Sequence, residues 1–493
     1  MQLVWSTNII QSESPSPAKR FLLNSSLPDA RAPNCRKNLH LINKWELETL
    51  VNEKMTAPER GKQGKQVRSL RWDHFGSSVS CVNLLRRIED LEFKAHKQNE
   101  DIFLELGRIA ARQFDWQRRF VNLPQFYGNA FVYGQGECAS FFESQYGITL
   151  DRFSQIGFVM FVCFSKQPVL ADNGAMEKLN IGWEEVEKTL ALVGARYVDA
   201  AKLARTQRKA TFHISDKASV LRRSPCLRFG ANGERVRAPL PELILERITS
   251  GVFYDVIDGG GPVRDDYGRR FEQYCFQYLK HSLPELNWQT EFKYKKKPNT
   301  LDTPDILCLE SGKVRVAIEC KSTRMSHGAM FGKKPFEERG YKDLVKAVFQ
   351  LWRFFSHCRR GYTKLDLNKD AVGVVLTLDN WLVMAETLQE QVMQAADELA
   401  QKKDPEILAE DKRAVQFVAI PEMERTLSLA SSSSFLTALE QASSSEFKGW
   451  RLDGVHSKFA DEHATQAKYP FADSLGDLLP WWDRMGRARP TLE

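Results

Sequence analysis

The apolar positions of this chain change their period part-way along it. From Val82 to Phe120, Leu84, Leu85, Ile88, Leu91, Ile102, Leu104, Ile109 and Phe114 recur near helical spacing, which predicts amphipathic helices packed on a core. Asp151 to Phe164 and Trp183 to Ala204 read the same way, with Gly194 interrupting the second. Phe120 to Phe142, aromatic and punctuated by glycine, reads as a turn-rich connection into a further helix. The longest apolar run, Ile156 to Phe164, has nine residues including Gly157, too short to cross a bilayer.

Beyond Pro239 a period of two appears. Leu286 to Lys295 alternates through Trp288, Thr290, Phe292 and Tyr294 and predicts a strand. Asp305 to Leu309 and Val314 to Lys321 predict two more, and Ala371 to Leu378 and Val415 to Ile420 another pair, with Trp381 to Met384 continuing the former after a turn. Helical patterns cover Leu243 to Ile248, Tyr267 to Leu279 and Tyr341 to Phe355. The order strand, hairpin, helix, strand gives an α/β sandwich behind a mainly helical N-terminal region.

The hairpin carries the chemistry. Strand alternation puts Val314, Val316, Ile318 and Cys320 on one face, and Arg315, Ala317, Glu319 and Lys321 on the other. Ser311-Gly312-Lys313 supplies the turn. With a three-residue loop Glu310 pairs with Val314 and Asp305 stands opposite Glu319; a two-residue loop moves this by one position. Opposed residues hold their Cβ atoms about 5 Å apart, within reach of one shared cation. Two hard oxygen donors beside a lysine suit Mg²⁺, which orients a water, lowers its pKa and neutralises charge on a phosphodiester. Lys321, on the same face, positions or deprotonates that water or stabilises the phosphorane. A surface hairpin with solvated charges is the plainer reading. Against it stands the conjunction of Pro-Asp at a strand start, a 14-residue separation, and Glu-x-Lys at the end of an apolar strand.

Pro304-Asp305 followed by Glu319-Cys320-Lys321 resembles the PD-(D/E)XK nuclease superfamily, over about residues 240 to 380. The resemblance implies a restriction-endonuclease-like α/β sandwich with a mixed central sheet. It also implies Mg²⁺, with Mn²⁺ as a substitute, held by Asp305, Glu319 and the Cys320 carbonyl. A helix precedes the hairpin in that superfamily, and its acid, by position Glu272 here, contacts a second metal or its water; an ordinary helix glutamate is the alternative. Gln350-x-x-x-Phe354 resembles the Gln-x-x-x-Tyr element of the exonuclease-like branch, with Phe in place of Tyr. Gln350 then reaches the site, unless its helix simply faces the core. Asp302 rivals Asp305 as metal ligand, but only Asp305 leads directly into the strand.

Charge adds candidate contacts to nucleic acid. The net charge is +7, yet Lys202 to Arg237 alone holds ten Lys or Arg against two acids. That segment, with Arg222 and Arg223, reads either as an electrostatic footprint or as a basic linker. Lys295, Lys296 and Lys297 form a basic loop near Asp305, and Arg324, Lys333 and Lys334 lie in a segment placed to cover a groove. Trp481 and Trp482 among arginines stack on bases or dock onto their own domain. The divisions expected are a loose segment 1–40, a helical recognition or partner domain 41–204, a linker 205–238, a nuclease domain 239–425 and an extension 426–493.

The remaining composition excludes more than it adds. Nine scattered cysteines without a Cys-x-x-Cys pair suggest neither zinc nor disulfides but a reducing cytoplasm. The N-terminus has no signal-peptide pattern, the histidines form no paired motif, and no nucleophile elbow occurs. The expectation is a cytoplasmic Mg²⁺-dependent DNA endonuclease without a membrane partner. A bacterial restriction or anti-phage role, with a homodimer or a defence subunit as partner, follows from where the resembled fold is found. The alternatives are an inactive nuclease-fold subunit that binds nucleic acid or scaffolds, an RNase, or a repair nuclease.

Overall fold

The computed structural model describes residues 1–11, 41–57, 71, 73–96, 107–113, 116, 122–172, 174, 176–208, 213–214, 217–296, 298–331, 334–379, 386–461, 463 and 465–487. Three strands, β1 (Gly194–Arg196), β2 (Cys226–Phe229) and β3 (Arg235–Arg237), form a small sheet in the order β1-β2-β3. Seven more follow: β4 (Asn287–Thr290), β5 (Lys293–Lys296), β6 (Asn299–Asp302), β7 (Ile306–Glu310), β8 (Lys313–Lys321), β9 (Asp366–Thr377) and β10 (Val415–Ala419). The central sheet runs β10-β9-β8-β7-β4, parallel from β10 to β8 and antiparallel from β8 to β4. It is therefore a mixed sheet, with helices on both faces.

On one face Val316, Ile318 and Cys320 join Ile306, Cys308, Val372 and Val374 in a core with Phe271 and Tyr274 of helix α1 (Gly260–Ser282). On the other, Leu307, Leu309, Ala317 and Val375 meet helix α2 (Arg339–Arg359), with helix α3 (Glu386–Lys403) alongside it. Tyr341, Leu344, Val348, Leu351 and Phe355 recur along α2 at steps of three and four, so one stripe is buried. Each such side chain contributes roughly 1.5–3 kcal/mol on burial.

The β7–β8 turn has two residues, Ser311 (φ 49°) and Gly312 (φ 79°), and Glu310 pairs with Lys313 rather than Val314. The pairing is then interrupted by one extra residue, Arg315, between the pairs Leu309–Val314 and Cys308–Val316. This bulge puts Val314 on the α2 face, not with Val316 as strict alternation predicts. It also restores the register, so that Ile306 pairs with Ile318.

Two more expectations change. Leu286 to Lys295 is two strands: β4 lies in the main sheet, whereas β5 pairs only with β6. Within the expected linker 205–238, residues 217–238 are folded. They contribute the helix Val220–Arg223 and two strands, and Cys226 and Leu227 are wholly buried. Gly194 does divide Trp183 to Ala204, ending one helix at Val193 and starting β1. The C-terminal extension docks onto the helical half, with Trp481 buried against Phe126 and Phe158 and its Nε1 donating to Ser154 Oγ at 2.9 Å. Trp481 is thus closed to bases. Trp381 to Met384 lies outside the described residues. No helix among them is alone long and apolar enough to cross a membrane; one bent pair, Gly136–Tyr146 with Leu150–Lys166, passes by length and composition, and that pair supplies core side chains such as Phe142 and Phe153.

Candidate active site

Asp305 immediately precedes β7, and one step beyond the Ile306–Ile318 pair it stands across from Glu319 of β8. Its Oδ2 accepts the Cys320 N–H at 2.6 Å, which ties the two strand ends together. Glu319 is 3% exposed, and its Oε2 accepts from Lys321 Nζ at 2.9 Å. The chain is led into this position by short contacts. Thr303 Oγ1 accepts the Phe292 N–H at 3.1 Å, and the Asp305 carbonyl accepts the Glu291 N–H at 3.0 Å.

These groups perturb one another strongly. Burial, and then the neighbouring Glu319, push the Asp305 carboxyl well above its usual range, against the pull of Lys321. Burial lowers the pKa of Lys321, but Glu319 and Asp305 more than reverse this and raise it. Glu272, on α1, belongs to the same cluster. Burial first, then Glu291 and Glu319, raise it to about 7 despite Lys321. Glu291 is raised as well, by burial, Asp302 and Glu319. Asp305, Glu319 and Glu272 therefore share Lys321, with Glu291 beside them near Lys293, and the repulsion between the carboxyls is what a bound cation relieves.

Asp305 and Glu319 offer two carboxylates, the donor type that hard divalent ions take. Among the described residues no group of three or more His, Cys, Asp or Glu side chains is arranged to hold a metal ion. A cation here would rest on the Asp305 and Glu319 carboxylates, with the Cys320 carbonyl, water and substrate oxygens completing its shell.

No family model, curated protein or solved structure matches the chain.

Several other candidates lie elsewhere. Gln350 lines a separate cleft with Lys296, Arg353 and His357, and none of Asp305, Glu319 or Lys321 lines it. Arg222 is engaged internally, by Glu48 at 2.8 Å and Glu246 at 3.1 Å. Lys217 pairs with Glu53 and Arg228 with Glu187, so three of the ten cations in the basic segment are paired within the fold, while Lys202, Arg205, Arg208 and Arg235 are exposed. Arg223 is exposed. Arg324 is half-buried, bound to Asp379 at 2.8 Å and over the Phe253 ring. Neither Arg222 nor Arg324 is free for a phosphate. Lys295 and Lys296 sit on β5, not in a loop; Lys295 is exposed and Lys296 pairs with Asp404 at 3.0 Å. Lys334 is exposed beside Glu337 at 2.8 Å, and Asp302 is occupied by Lys293 at 3.3 Å. Lys297 and Lys333 lie outside the described residues.

Glu291 is the acid that the sequence reading missed. The alternation of Leu286 to Lys295 hid it inside a continuous strand. Its place next to the β4–β5 break is the signal that would have found it.

Proposed function

We propose that the chain is a metal-dependent nuclease that hydrolyses phosphodiester bonds, with DNA as its first substrate. The observation that carries this reading is Asp305 across from Glu319, with Lys321 hydrogen-bonded to Glu319 at 2.9 Å. Asp305, Glu319 and the Cys320 carbonyl would hold Mg²⁺. When bound, that ion would supply an acidified water and neutralise charge on the scissile phosphate.

The chain's own residues do the rest. Lys321 stays protonated and places a positive charge where a phosphorane builds negative charge. Glu272, titrating near 7, takes a proton from an attacking water or returns one to a leaving oxygen near neutral pH. Asp305, bound to the Cys320 N–H, keeps the two strand ends in register. The restriction or defence role and any second subunit belong to this proposal through the resemblance alone.

The test is cleavage of supercoiled plasmid, linear DNA and RNA with Mg²⁺ or EDTA, beside Asp305→Asn and Lys321→Ala. We expect Mg²⁺-dependent nicking of DNA that falls by roughly 10²-fold or more in each variant. Undiminished cleavage by the variants refutes the site, and no cleavage by the natural chain refutes the activity.

A further inference from the structure

A cleft of about 690 Å³ opens between the β5–β6 hairpin and helices α2 and α3, apart from the carboxylate cluster. Its floor is a polar stripe on α2: Lys346, Gln350, Arg353 and His357 stand at i, i+4, i+7 and i+11, one helix face about 16 Å long. Lys296 comes from the hairpin and Lys403 from the end of α3. Four cations thus line the cleft against one carboxylate, Asp404. That carboxylate is already engaged by Lys296 at 3.0 Å, Arg360 at 3.3 Å and His357 Nε2 at 3.3 Å. His357 is held neutral, its pKa lowered to about 4 mainly by burial, and its Nδ1 takes the Tyr294 hydroxyl at 2.7 Å. Asp404 and His357 therefore lock the hairpin to the helices.

Two side chains that line the cleft each carry an atom without a partner. Arg353 Nε and Gln350 Oε1 are buried with no hydrogen-bond partner, and the Arg353 guanidinium rests over the Phe349 ring at 5.5 Å. A buried guanidinium donor without an acceptor is costly unless a ligand supplies one. Rotating the Gln350 amide turns its orphaned position into a donor as well. The size lies within the ordinary range for small-molecule sites, about 300–1,000 Å³.

We infer that this cleft binds phosphate groups, with Arg353 and Lys346 as anchors and Lys403 across from them. The shared chemistry is the phosphate, carried either by a small polyphosphate or nucleotide or by the backbone of a nucleic-acid strand. The inference does not depend on the nuclease reading, although the hairpin links the two sites. It leaves the sheet at Glu291 and returns through Pro304 to Asp305, so one wall of the cleft ends at the carboxylates.

The test is calorimetric titration of the full chain, in EDTA and low salt, with inorganic tripolyphosphate and separately with a short oligothymidylate. We expect saturable binding that weakens at least about tenfold in Arg353→Gln and in Lys346→Gln, while Lys458→Gln, at an exposed lysine outside the cleft, binds as the natural chain does. For the oligonucleotide, each lost contact should lower the slope of log K against log salt by about 1. Tight tripolyphosphate binding with none of the oligonucleotide assigns a small ligand; oligonucleotide binding displaced by tripolyphosphate assigns a strand. Thermal unfolding without ligand is read alongside, and Lys403→Gln replaces either α2 variant that fails to fold. Absence of binding for both probes, or unweakened binding in the variants, overturns the inference. Because EDTA prevents cleavage, a failed nuclease assay leaves this result intact.

Discussion

Glu422 and Glu424, in the helix Ile420–Leu427, are buried carboxyls behind α1. Burial, then Asp453, raises Glu422 from the usual 4.5 to about 8. Burial raises Glu424 to about 7, although the Tyr274 hydroxyl donates to it at 2.5 Å. In the unfolded chain both titrate near 4.5, so between that pH and 8 the native state holds the extra protons. Their contribution to stability is complete below pH 4.5 and is lost as pH climbs through 7 and 8. Near pH 8 the loss is on the order of 3 kcal/mol for Glu424 and 4 kcal/mol for Glu422. Against a typical total of about 5–15 kcal/mol these are large fractions.

Glu424→Gln and Glu422→Gln keep an acceptor for Tyr274 and for the Leu452 N–H while removing the titration. Urea unfolding followed by tryptophan fluorescence should show each variant more stable than the natural chain near pH 8, by about 2–4 kcal/mol. The curves should converge near pH 4.5. A gain of equal size at both pH values would show that the benefit is not electrostatic. No gain near pH 8 would show that the carboxyls ionise in place at no cost.

Two further predictions test packing and register. Gly157 sits in the helix Leu150–Lys166, where an added Cβ would lie 2.4 Å from Ile248 Cγ2. Gly157→Ala should therefore cost roughly 1–3 kcal/mol despite the better helix former, and the cost should vanish in an Ile248→Ala background; additive costs in the double-mutant cycle would refute the contact. Deleting Arg315 removes the bulge but leaves Asp305 across from Glu319, so cleavage should persist within a few-fold. The lost Arg315–Glu440 ion pair at 2.9 Å, half-exposed on the glutamate side, should cost no more than about 1 kcal/mol. Loss of cleavage by a folded deletion variant would show that the bulge itself positions the site.

Strand and helix types between residues 286 and 378 were legible because their periods are clean and their burial nearly complete, as in β8 and α2. Register was not legible. A two-residue turn and a one-residue bulge are each invisible to alternation, and here they cancel, so Asp305 and Glu319 meet by a different count from the one the sequence suggests. The basic segment misled for another reason. The acids that pair with three of its cations, Glu48, Glu53 and Glu187, come from remote helices that no local window includes. The cleft stripe of Lys346, Gln350, Arg353 and His357 was present in the spacing of α2. It was overshadowed by the stronger apolar stripe on the same helix.

The helical half and the C-terminal helices also bear on the site, through α1. Tyr127, Phe131 and Phe471 crowd the Tyr274 ring, and Tyr274 and Tyr278 bond the Glu424 carboxyl and carbonyl. Glu272 stands two residues before Tyr274, a little over half a turn along α1. The same core cluster that holds Tyr274 contains Ile306, Ile318 and Cys320, the residues flanking the two carboxylates. A shift of α1 would therefore move Glu272 relative to Asp305 and Glu319, and α1 is braced by side chains from the helix Leu123–Tyr133 and from the C-terminal extension. The N-terminal half is thus part of the packing that sets the distance between the acid near pKa 7 and the carboxylate pair. Recognition of a partner by its outer faces is compatible with that role and separate from it.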